Sequence, residues 1–227
     1  MKKVIVFTGS GISAESGIKT FRESGGLWEE YRIEDVATPE AWRKNPDLVL
    51  DFYNQRRKQV LEAKPNAAHE AIARLQKKYD VHVITQNIDD LHERAGSKKV
   101  LHLHGEIRKV RSSLNPNLIY ELDGWELKKG DKCENGSQLR PHIVWFGEQV
   151  PEMDNAIELT ESAKIFIVIG TSLQVYPAAS LIQHAPYDAA LYLIDPNATK
   201  ISYLPYMNII KETAGKGVPE LVDELMK

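Results

Sequence analysis

The stretch from Val4 to Arg22, VIVFTGSGISAESGIKTFR, constrains the fold of this chain more than any other part. Its apolar, β-branched start, Val4–Phe7, predicts a buried strand, and the next four residues, Thr8-Gly9-Ser10-Gly11, predict a tight turn. The segment Ile12–Ser16 after the turn is compatible with a helix. A buried strand, a glycine turn and a helix start, in this order, are typical of βα units that hold a phosphate group.

The turn also fits the G-x-G-x-x-G/A pattern of dinucleotide-binding folds, with Gly9, Gly11 and Ala14 in the small positions. We expect a positive φ at Gly9, and we expect Gly11, which has no Cβ, to let a pyrophosphate approach the backbone. By itself the pattern is weak, because a glycine turn after a strand is often only a turn. The pattern does not indicate an ordinary dehydrogenase. In that class, the acidic residue that binds the ribose ends a second strand about 20 residues further along the chain. Here that region, Thr20–Gly26, has no strand pattern.

Length and charge narrow the possible classes of protein. A chain of 227 residues suits one α/β domain with a smaller appendage. Its net charge of −3 predicts no attraction to nucleic acid or to a membrane surface. No apolar run is long enough to span a bilayer. The sequence enters its first strand directly, so we expect no signal peptide and a cytoplasmic location. We also expect a monomer. Its one cysteine, Cys133, excludes an internal disulfide and a multi-cysteine zinc site.

Predicted strands and helices alternate along the rest of the chain, which indicates an α/β fold with a Rossmann-like, doubly wound parallel sheet. Further strands are predicted at Val81–Thr85, Val100–Gly105, Pro141–Glu148, Ile165–Ile169, Ala190–Ile194 and Met207–Ile210. Helices are predicted from Asn45-Pro46 to Ala63 and at Asn66–Lys78, Leu91–Ala95, Pro177–His184 and Val218–Leu225. The stretch Glu106–Arg140 lacks this periodicity and is interpreted as an inserted small module. We expect one domain over residues 1–227, with a core of about 1–28, 79–105 and 141–227 and a zinc-free module of about 29–78 and 106–140.

Small or polar residues follow four of the predicted strands at the point where each strand ends. These are Gly9-Ser10-Gly11, Gln86-Asn87-Ile88-Asp89, Gly170-Thr171-Ser172 and Asp195-Pro196-Asn197. The carboxyl ends of parallel strands meet at one edge of the sheet, where open α/β folds bind their ligands. The four segments together therefore predict a ligand site far more specifically than one glycine motif does.

Histidine and arginine residues near these segments have both a structural and a functional interpretation. His102 and His104 are predicted on the same side of an extended strand. A lone histidine at a strand end is more often structural, and the alternative is a general base, for which its near-neutral pKa suits it. Arg56 shares a helix stripe with Tyr53, Val49 and Val60. Its structural interpretation is that it reaches water or pairs with a carboxylate in the core.

Taken together, the motifs of this sequence resemble those of the sirtuins, the NAD-dependent protein deacylases. The matching segments are GSGISAESGIKTFR, TQNIDDLHERAG, LHGE, PHIVWFGE and GTSLQVYPAASL. They extend from Val4 to Leu181, and the later GKGVPELV also fits, so the resemblance covers nearly the whole chain. It implies an enzyme that uses NAD to remove acyl groups from lysine in proteins or peptides, and that releases nicotinamide and O-acyl-ADP-ribose.

The resemblance also implies a role for individual residues. It places catalysis on His104, as a general base, and on Asn87. The NAD-binding residues it implies are Gly9, Ser10, Gly11, Ile12, Ala14, Glu15, Thr20, Phe21, Arg22, Trp28, Gln86, Asn87, Ile88, Asp89, His104, Gly170, Thr171, Ser172, Asp195, Pro196, Asn197 and Ala214. The substrate peptide is expected to pair with a strand that contains Val144, Trp145, Phe146, Gly147 and Glu148.

Tyr53 and Arg56 match the Tyr-x-x-Arg pair of the sirtuin class that removes acidic acyl groups, such as succinyl and malonyl. Thr20 also fits that class, whereas Ser24 stands where the class usually has alanine. The resemblance therefore implies that acyl groups with a terminal carboxylate are substrates in addition to acetyl.

The larger departure from the family lies in the small module. Sirtuins usually hold a structural zinc with two Cys-x-x-Cys pairs, but this interval contains Cys133 alone, with Ser112 near the first expected cysteine and Asn135-Gly136 at the last. One thiolate cannot complete a tetrahedral zinc site, so we expect no metal. Two alternatives to deacylation stay open: transfer of ADP-ribose to a protein or to water, and a non-catalytic NAD-sensing module.

Overall fold

A computed structural model describes residues 1–19, 31–200 and 204–227 of the chain. In chain order, its strands are β1 (Lys3–Thr8), β2 (Asp80–Thr85), β3 (Val100–His102), β4 (Gly105–Ser112), β5 (Ile119–Glu121), β6 (Leu139–Ile143), β7 (Ile165–Ile169), β8 (Ala190–Ile194) and β9 (Asn208–Ile210). Six of them form one sheet in the order β3-β2-β1-β7-β8-β9, and every neighbouring pair is parallel. This sheet confirms the predicted Rossmann-like α/β fold.

Helices lie on both faces of the sheet. The α-helices are α1 (Ile33–Val36), α2 (Pro39–Lys44), α3 (Pro46–Glu62), α4 (Ala67–Leu75), α5 (Leu91–Arg94), α6 (Met153–Glu161) and α7 (Ala214–Leu225). Short 3₁₀ helices span Ser10–Ile12, Ala14–Ser16 and Ala178–His184. No helix of the described residues combines the length and the apolar composition that crossing a membrane requires.

The central strands β1 and β7 are apolar because both faces of the sheet are covered. On one face, Val4 and Val6 pack with Ile72 of α4 and Leu221 of α7. On the other face, Ile5 and Phe7 pack with Phe166, next to the 3₁₀ helix Ala178–His184 and α6. Side chains alternate between the two faces of a strand, so a strand that is buried on both sides reads as a continuous apolar run.

The stretch Glu106–Arg140, which lacks periodicity in the sequence, lies within a second sheet. Strands β5, β4 and β6 pair antiparallel in that order, and the register of β4 against β6 shifts between Gly105 and Val110. Helix α4, which the predicted division assigns to the small module, packs on the large sheet instead. The small module of this structure therefore consists of the antiparallel sheet and its loops, with α3 against it.

Side chains of helix α3 hold the small module by hydrogen bonds to the backbone of that module. The helix begins where predicted, since the Asn45 side chain accepts from the N–H of Leu48 and Pro46 follows it. The Asn54 side chain donates to the carbonyl of Leu127 and accepts from its N–H, both at 2.9 Å. The fully buried Arg57 donates to the carbonyl oxygens of Ile107 at 2.6 Å and Trp125 at 2.7 Å.

Four local predictions differ from the structure. The segment after β1 forms two single-turn 3₁₀ helices instead of an α-helix, and Gly9 has an extended φ of −121° instead of a positive one. Strand β6 ends at Ile143, so Val144–Glu148 forms a turn and is not part of a strand. Strand β3 ends at His102, and His104 lies in the following turn.

Candidate active site

A cavity of about 1190 Å³ opens at the carboxyl ends of the parallel strands. The four segments that follow β1, β2, β7 and β8 all line it, as their sequence pattern predicts. The predicted NAD-binding residues along its wall are Gly9, Ser10, Gly11, Ala14, Glu15, Gln86, Asn87, Ile88, Asp89, His104, Gly170, Thr171, Ser172, Asp195, Pro196, Asn197 and Ala214.

Glycines at two strand ends allow the tips of β1 and β7 to interlock. The N–H of Gly11 donates to the Gly170 carbonyl at 2.9 Å, and a Cβ at Gly11 would lie 2.7 Å from Gly170 Cα. Gly170 has a φ of +59°, which favours glycine, and a Cβ there would lie 2.5 Å from the Ile12 nitrogen. Gly11 is therefore required by contact with the neighbouring strand tip, in addition to any requirement from a ligand.

Polar side chains after β2 hold the glycine turn in place. Asn87 donates to the Gly9 carbonyl and to the Ser13 hydroxyl, both at 3.1 Å, and Ser13 donates to Asp89 at 3.0 Å. The second Asp89 oxygen accepts from the N–H of Leu91 at 3.2 Å. Burial raises the pKa of the Asp89 carboxyl, against the opposing effect of these hydrogen bonds. The network fixes the turn and leaves Asn87 and Asp89 at the cavity wall.

The half-buried His104 has the tautomer of a general base. Its Nδ1 lies 3.0 Å from the Gln86 carbonyl oxygen, which can only accept, so Nδ1 carries the hydrogen and Nε2 carries the lone pair. Burial lowers the pKa of the His104 imidazole, so the ring is neutral at physiological pH and can take up a proton. By contrast, His102 pairs with Glu93 at 2.8 Å and does not line the cavity, so the two rings have different surroundings.

The wall of the cavity beside α3 is formed by Tyr53, Arg56 and Trp145. Tyr53 is 3% exposed, and its hydroxyl oxygen accepts from the indole N–H of Trp145 at 3.1 Å. Burial raises the pKa of the Tyr53 phenol to about 12, so the hydroxyl keeps its proton. Burial also lowers the pKa of the Arg56 guanidinium, which nevertheless stays protonated at neutral pH. This wall therefore offers a cation and a hydroxyl to a ligand that enters the cavity.

The predicted substrate-binding segment contains Trp145 of this wall and contacts the turn that carries His104. All five residues from Val144 to Glu148 line the cavity. The N–H of Val144 donates to the His104 carbonyl at 3.0 Å, and the N–H of Phe146 donates to the Ala37 carbonyl at 3.0 Å. The segment is thus fixed by its own backbone to the turn that carries His104, although it is not a strand.

Glu15 links the glycine turn to the start of α7. Its carboxylate accepts from the N–H of Gly215 at 2.6 Å and from the Thr213 hydroxyl at 3.2 Å. An acidic group is favourable there because the first N–H groups of a helix have no partners within the helix. Glu15 therefore acts first as a cap for α7, at the end of the cavity that Ala214 and Asp195 also line.

Not every predicted residue lies at the cavity, and some lining residues were not predicted. Ile12 is fully buried, and its side chain belongs to the core, not to the cavity wall. Thr20, Phe21, Arg22 and Trp28 lie outside the described residues, as does Ser24. The unpredicted lining residues include Ser13, Ile18, Lys19, Val60, Leu173 and Thr213. Ser13 lies within the glycine motif and could have been identified there, whereas an apolar residue such as Val60 carries no signal that separates a cavity wall from a core.

Hydroxyl and thiol groups occupy the place where the resemblance implies a zinc site. Ser112 Oγ lies 2.6 Å from Ser137 Oγ, which lies 3.0 Å from the Cys133 sulfur. Backbone N–H groups of Leu114 and Asn115 donate to Ser112 Oγ. One thiol and two hydroxyls are not the nitrogen and sulfur donors that hold structural zinc, so these residues do not fit the metal.

Comparisons with known proteins point to one family. Residues 9–177 match the model of the Sir2 family. The chain is 53% identical over 229 residues to an NAD-dependent protein deacylase of Helicobacter pylori strain J99, covering 100% of this chain and 97% of that protein. It is 54% identical over 226 residues to one of Bacteroides thetaiotaomicron, covering 97% of each. Among solved structures it is similar to a Sir2 homologue in complex with NAD, with a TM-score of 0.90, 42% identity and coverage of 99% of this chain and 90% of that one. It is also similar to Sir2 bound to an acetylated peptide, with a TM-score of 0.81, 29% identity and coverage of 98% and 93%.

Proposed function

The chain belongs to the Sir2 family and is an NAD-dependent protein deacylase, and from this premise we propose that it removes the acidic acyl groups succinyl and malonyl from lysine, as well as acetyl. The observation that carries the proposal is the position of Tyr53 and Arg56 on the wall of the cavity that also contains His104. Substrates would be proteins or peptides that contain an acyl-lysine, in line with the acetylated peptide bound to one structural neighbour.

A terminal carboxylate complements the wall that Tyr53 and Arg56 form. A guanidinium binds a carboxylate through two parallel hydrogen bonds, and a phenolic hydroxyl can donate a third. Burial disfavours the charge on Arg56, as its lowered pKa indicates, so a negative group beside it would stabilise that charge. Beyond the amide carbonyl oxygen that every acyl-lysine has, an acetyl group offers no acceptor to these two side chains, and sites built around such donors discriminate against ligands that lack the partner.

We further propose that NAD occupies the part of the cavity between the interlocked strand tips and α7. The fit is supported by the close approach of two backbone segments, the turn with Gly9 and Gly11 and the turn at Gly170, and by the buried polar pair Asn87 and Asp89. These residues would bind the sugar and phosphate groups, and Asp195 would lie at the adenosine end. When bound, NAD supplies the carbon atom that accepts the acyl oxygen, with nicotinamide as the leaving group.

His104 would be the general base of the reaction. Its Nε2 carries the lone pair, and the lowered pKa keeps the ring neutral, so it can accept a proton from a ribose hydroxyl. The overall balance is acyl-lysine, NAD⁺ and water in, and lysine, nicotinamide and O-acyl-ADP-ribose out. Asn87 would hold the ribose side of the site, because its amide is already oriented by Gly9 and Ser13.

The test is a panel of peptides of one sequence that carry acetyl-, succinyl- or malonyl-lysine, each assayed with NAD and with products identified by mass spectrometry. Arg56→Met should raise the KM for succinyl-lysine about tenfold or more, a loss of at least roughly 1.4 kcal/mol. The matched control is Lys58→Met, which removes a positive charge from the same helix. The Lys58 side chain is exposed, and its ammonium group lies over the Trp125 ring, outside the cavity.

The outcomes separate the possibilities. A selective loss of succinyl-lysine affinity in Arg56→Met, with Lys58→Met similar to wild type, would support recognition of an acidic acyl group. An equal loss for succinyl- and acetyl-lysine would mean that Arg56 is structural and that acidic acyl groups are not recognised here. Nicotinamide release without O-acyl-ADP-ribose would instead favour transfer of ADP-ribose to protein or to water.

A further inference from the structure

We propose that Trp145 is a positioning residue that sets the preference for acidic acyl groups by orienting the hydroxyl of Tyr53. This inference rests on the proposed function. It begins from the hydrogen bond between the Trp145 indole N–H and the Tyr53 hydroxyl oxygen, at 3.1 Å. Both side chains are nearly inaccessible to solvent, with 2% and 3% exposure, and both lie at the cavity wall.

The direction of this bond determines where the phenolic hydrogen can point. An indole N–H can only donate, so the Tyr53 oxygen must be the acceptor. The hydrogen of the hydroxyl then lies away from the indole and is available to a second acceptor. Burial raises the pKa of Tyr53 to about 12, so this hydrogen is present at every pH at which the enzyme would be assayed. The bond to Trp145 therefore turns Tyr53 into a donor with a fixed orientation.

The indole itself is held by a group of charged residues around Glu148. The Arg140 guanidinium carbon lies 3.3 Å from the centre of the Trp145 ring system. Glu148 binds Arg140 at 2.7 Å, and the same carboxylate accepts from the backbone N–H of Trp145 at 2.8 Å. Arg111, at 3.2 Å, is a second cation on Glu148. Backbone and ring of Trp145 are thus fixed from two sides, so the position of the indole N–H is built into the fold.

A phenylalanine in place of Trp145 would keep the aromatic contact with Arg140 but would remove the N–H. The Tyr53 oxygen would then lose its donor, and its hydrogen could adopt either of the two in-plane orientations. A carboxylate ligand would have to select the correct one on binding. Acetyl-lysine makes no such demand, since it offers no carboxylate to the hydroxyl. The N–H of Trp145 therefore favours acidic acyl groups over acetyl.

The experiment compares Trp145→Phe, Tyr53→Phe and the double variant by steady-state kinetics with succinyl- and acetyl-lysine peptides and NAD. Both peptides are assayed on one preparation, so any unfolded fraction cancels in the ratio of their kcat/KM values. Trp145→Phe should lower the succinyl-to-acetyl ratio by about twofold, because a carboxylate must then select one of two hydroxyl orientations, whereas the lost bond to the indole affects both peptides equally. The change should be in the KM for succinyl-lysine, because orienting a distal donor affects binding and not the chemical step.

The double variant distinguishes action through Tyr53 from a general structural effect. Once Tyr53→Phe has removed the hydroxyl, adding Trp145→Phe should change the ratio by less than about 1.3-fold, whereas independent effects would multiply. Trp42→Phe is the matched control, because its ring lies 5.8 Å from that of Trp145 but it does not line the cavity. It should leave the ratio as in wild type.

Failure of this inference is distinguishable from failure of the proposed function. A selective effect of Arg56→Met together with an unchanged ratio in Trp145→Phe would overturn the role of Trp145 and leave acidic-acyl recognition standing. An equal effect of Arg56→Met on both acyl groups would overturn the proposed function itself. If Trp145→Phe does not fold, benzothienylalanine at position 145 makes the same test, since sulfur replaces the N–H of the indole without changing its shape. Multiplicative effects in the double variant would also refute the inference.

Discussion

The substitution Asn54→Leu tests how the small module is held in the absence of cysteine pairs. Asn54 is 7% exposed, and leucine has the same branching pattern as asparagine, so the change is mainly one of hydrogen bonding. It removes the donor to the Leu127 carbonyl and the acceptor of the Leu127 N–H, both at 2.9 Å. It also removes the acceptor for Arg57 Nη1, which lies 2.8 Å from the Asn54 oxygen.

The expected loss can be estimated from the groups left behind. A buried polar group without its partner costs about 1–3 kcal/mol, and Arg57 Nη1 retains the Trp125 carbonyl as a second acceptor. The two backbone groups of Leu127 therefore dominate, and we expect Asn54→Leu to lower the free energy of unfolding by about 3 kcal/mol. For a chain of this size, that loss corresponds to a decrease in Tm of roughly 6–12 °C.

Urea denaturation and differential scanning calorimetry would measure this loss. The matched control is Gln55→Leu, the same kind of substitution at the next residue, where the side-chain amide makes an exposed hydrogen bond to Asp51. The control should change the free energy of unfolding by less than about 0.5 kcal/mol. A similarly small change in Asn54→Leu would refute the view that α3 holds the module through this side chain.

Three further predictions follow from the site and the core. His104→Ala should lower kcat for deacylation by about 10²–10⁴-fold while NAD binding by calorimetry survives, and a rate within about threefold of wild type would refute its role as base. Chelators should alter neither the Tm nor the activity, because Cys133 and its hydroxyl neighbours do not fit zinc; a stoichiometric zinc in purified protein would contradict this. Burial lowers the pKa of His69 to about 4 from its ordinary 6.5, so the unfolded chain binds the proton first as the pH falls. Stability should therefore decrease between about pH 6.5 and 4, by about 3 kcal/mol from this residue, and His69→Gln should reduce the slope in urea titrations.

Local patterns in the sequence were sufficient to predict the strands of the large sheet, because its central strands are apolar on both faces. Ile165–Ile169 is buried along its whole length, and its apolar run had suited a central parallel strand. The convergence of strand ends followed from the parallel arrangement alone. The start of α3 followed from Asn45-Pro46, whose capping chemistry is local.

The small sheet was missed because its stability comes from partners far along the chain. Arg111 lies on β4 and is buried, which its local sequence does not suggest. It is neutralised by Glu148, 37 residues away, and no periodicity reveals that pair. The register shift between Gly105 and Val110 further disturbs the alternation of β4 against β6. The prediction of a positive φ at Gly9 was wrong for a similar reason. A sequence motif does not show that a Cβ at Gly9 would collide with Thr171, on a neighbouring strand tip.

Adjacent residues of helix α3 contact different parts of the molecule. Tyr53 and Arg56 line the cavity, while Asn54 and Arg57 bind backbone groups of the small module. Trp145, which binds Tyr53, is fixed by Arg140 and Glu148 next to that module. The module is thus attached to the helix that carries the proposed acyl-binding pair by hydrogen bonds to buried backbone groups, which need no metal. The predicted absence of zinc is therefore compatible with the proposed acyl-binding wall, since the same helix provides a fixed point for both.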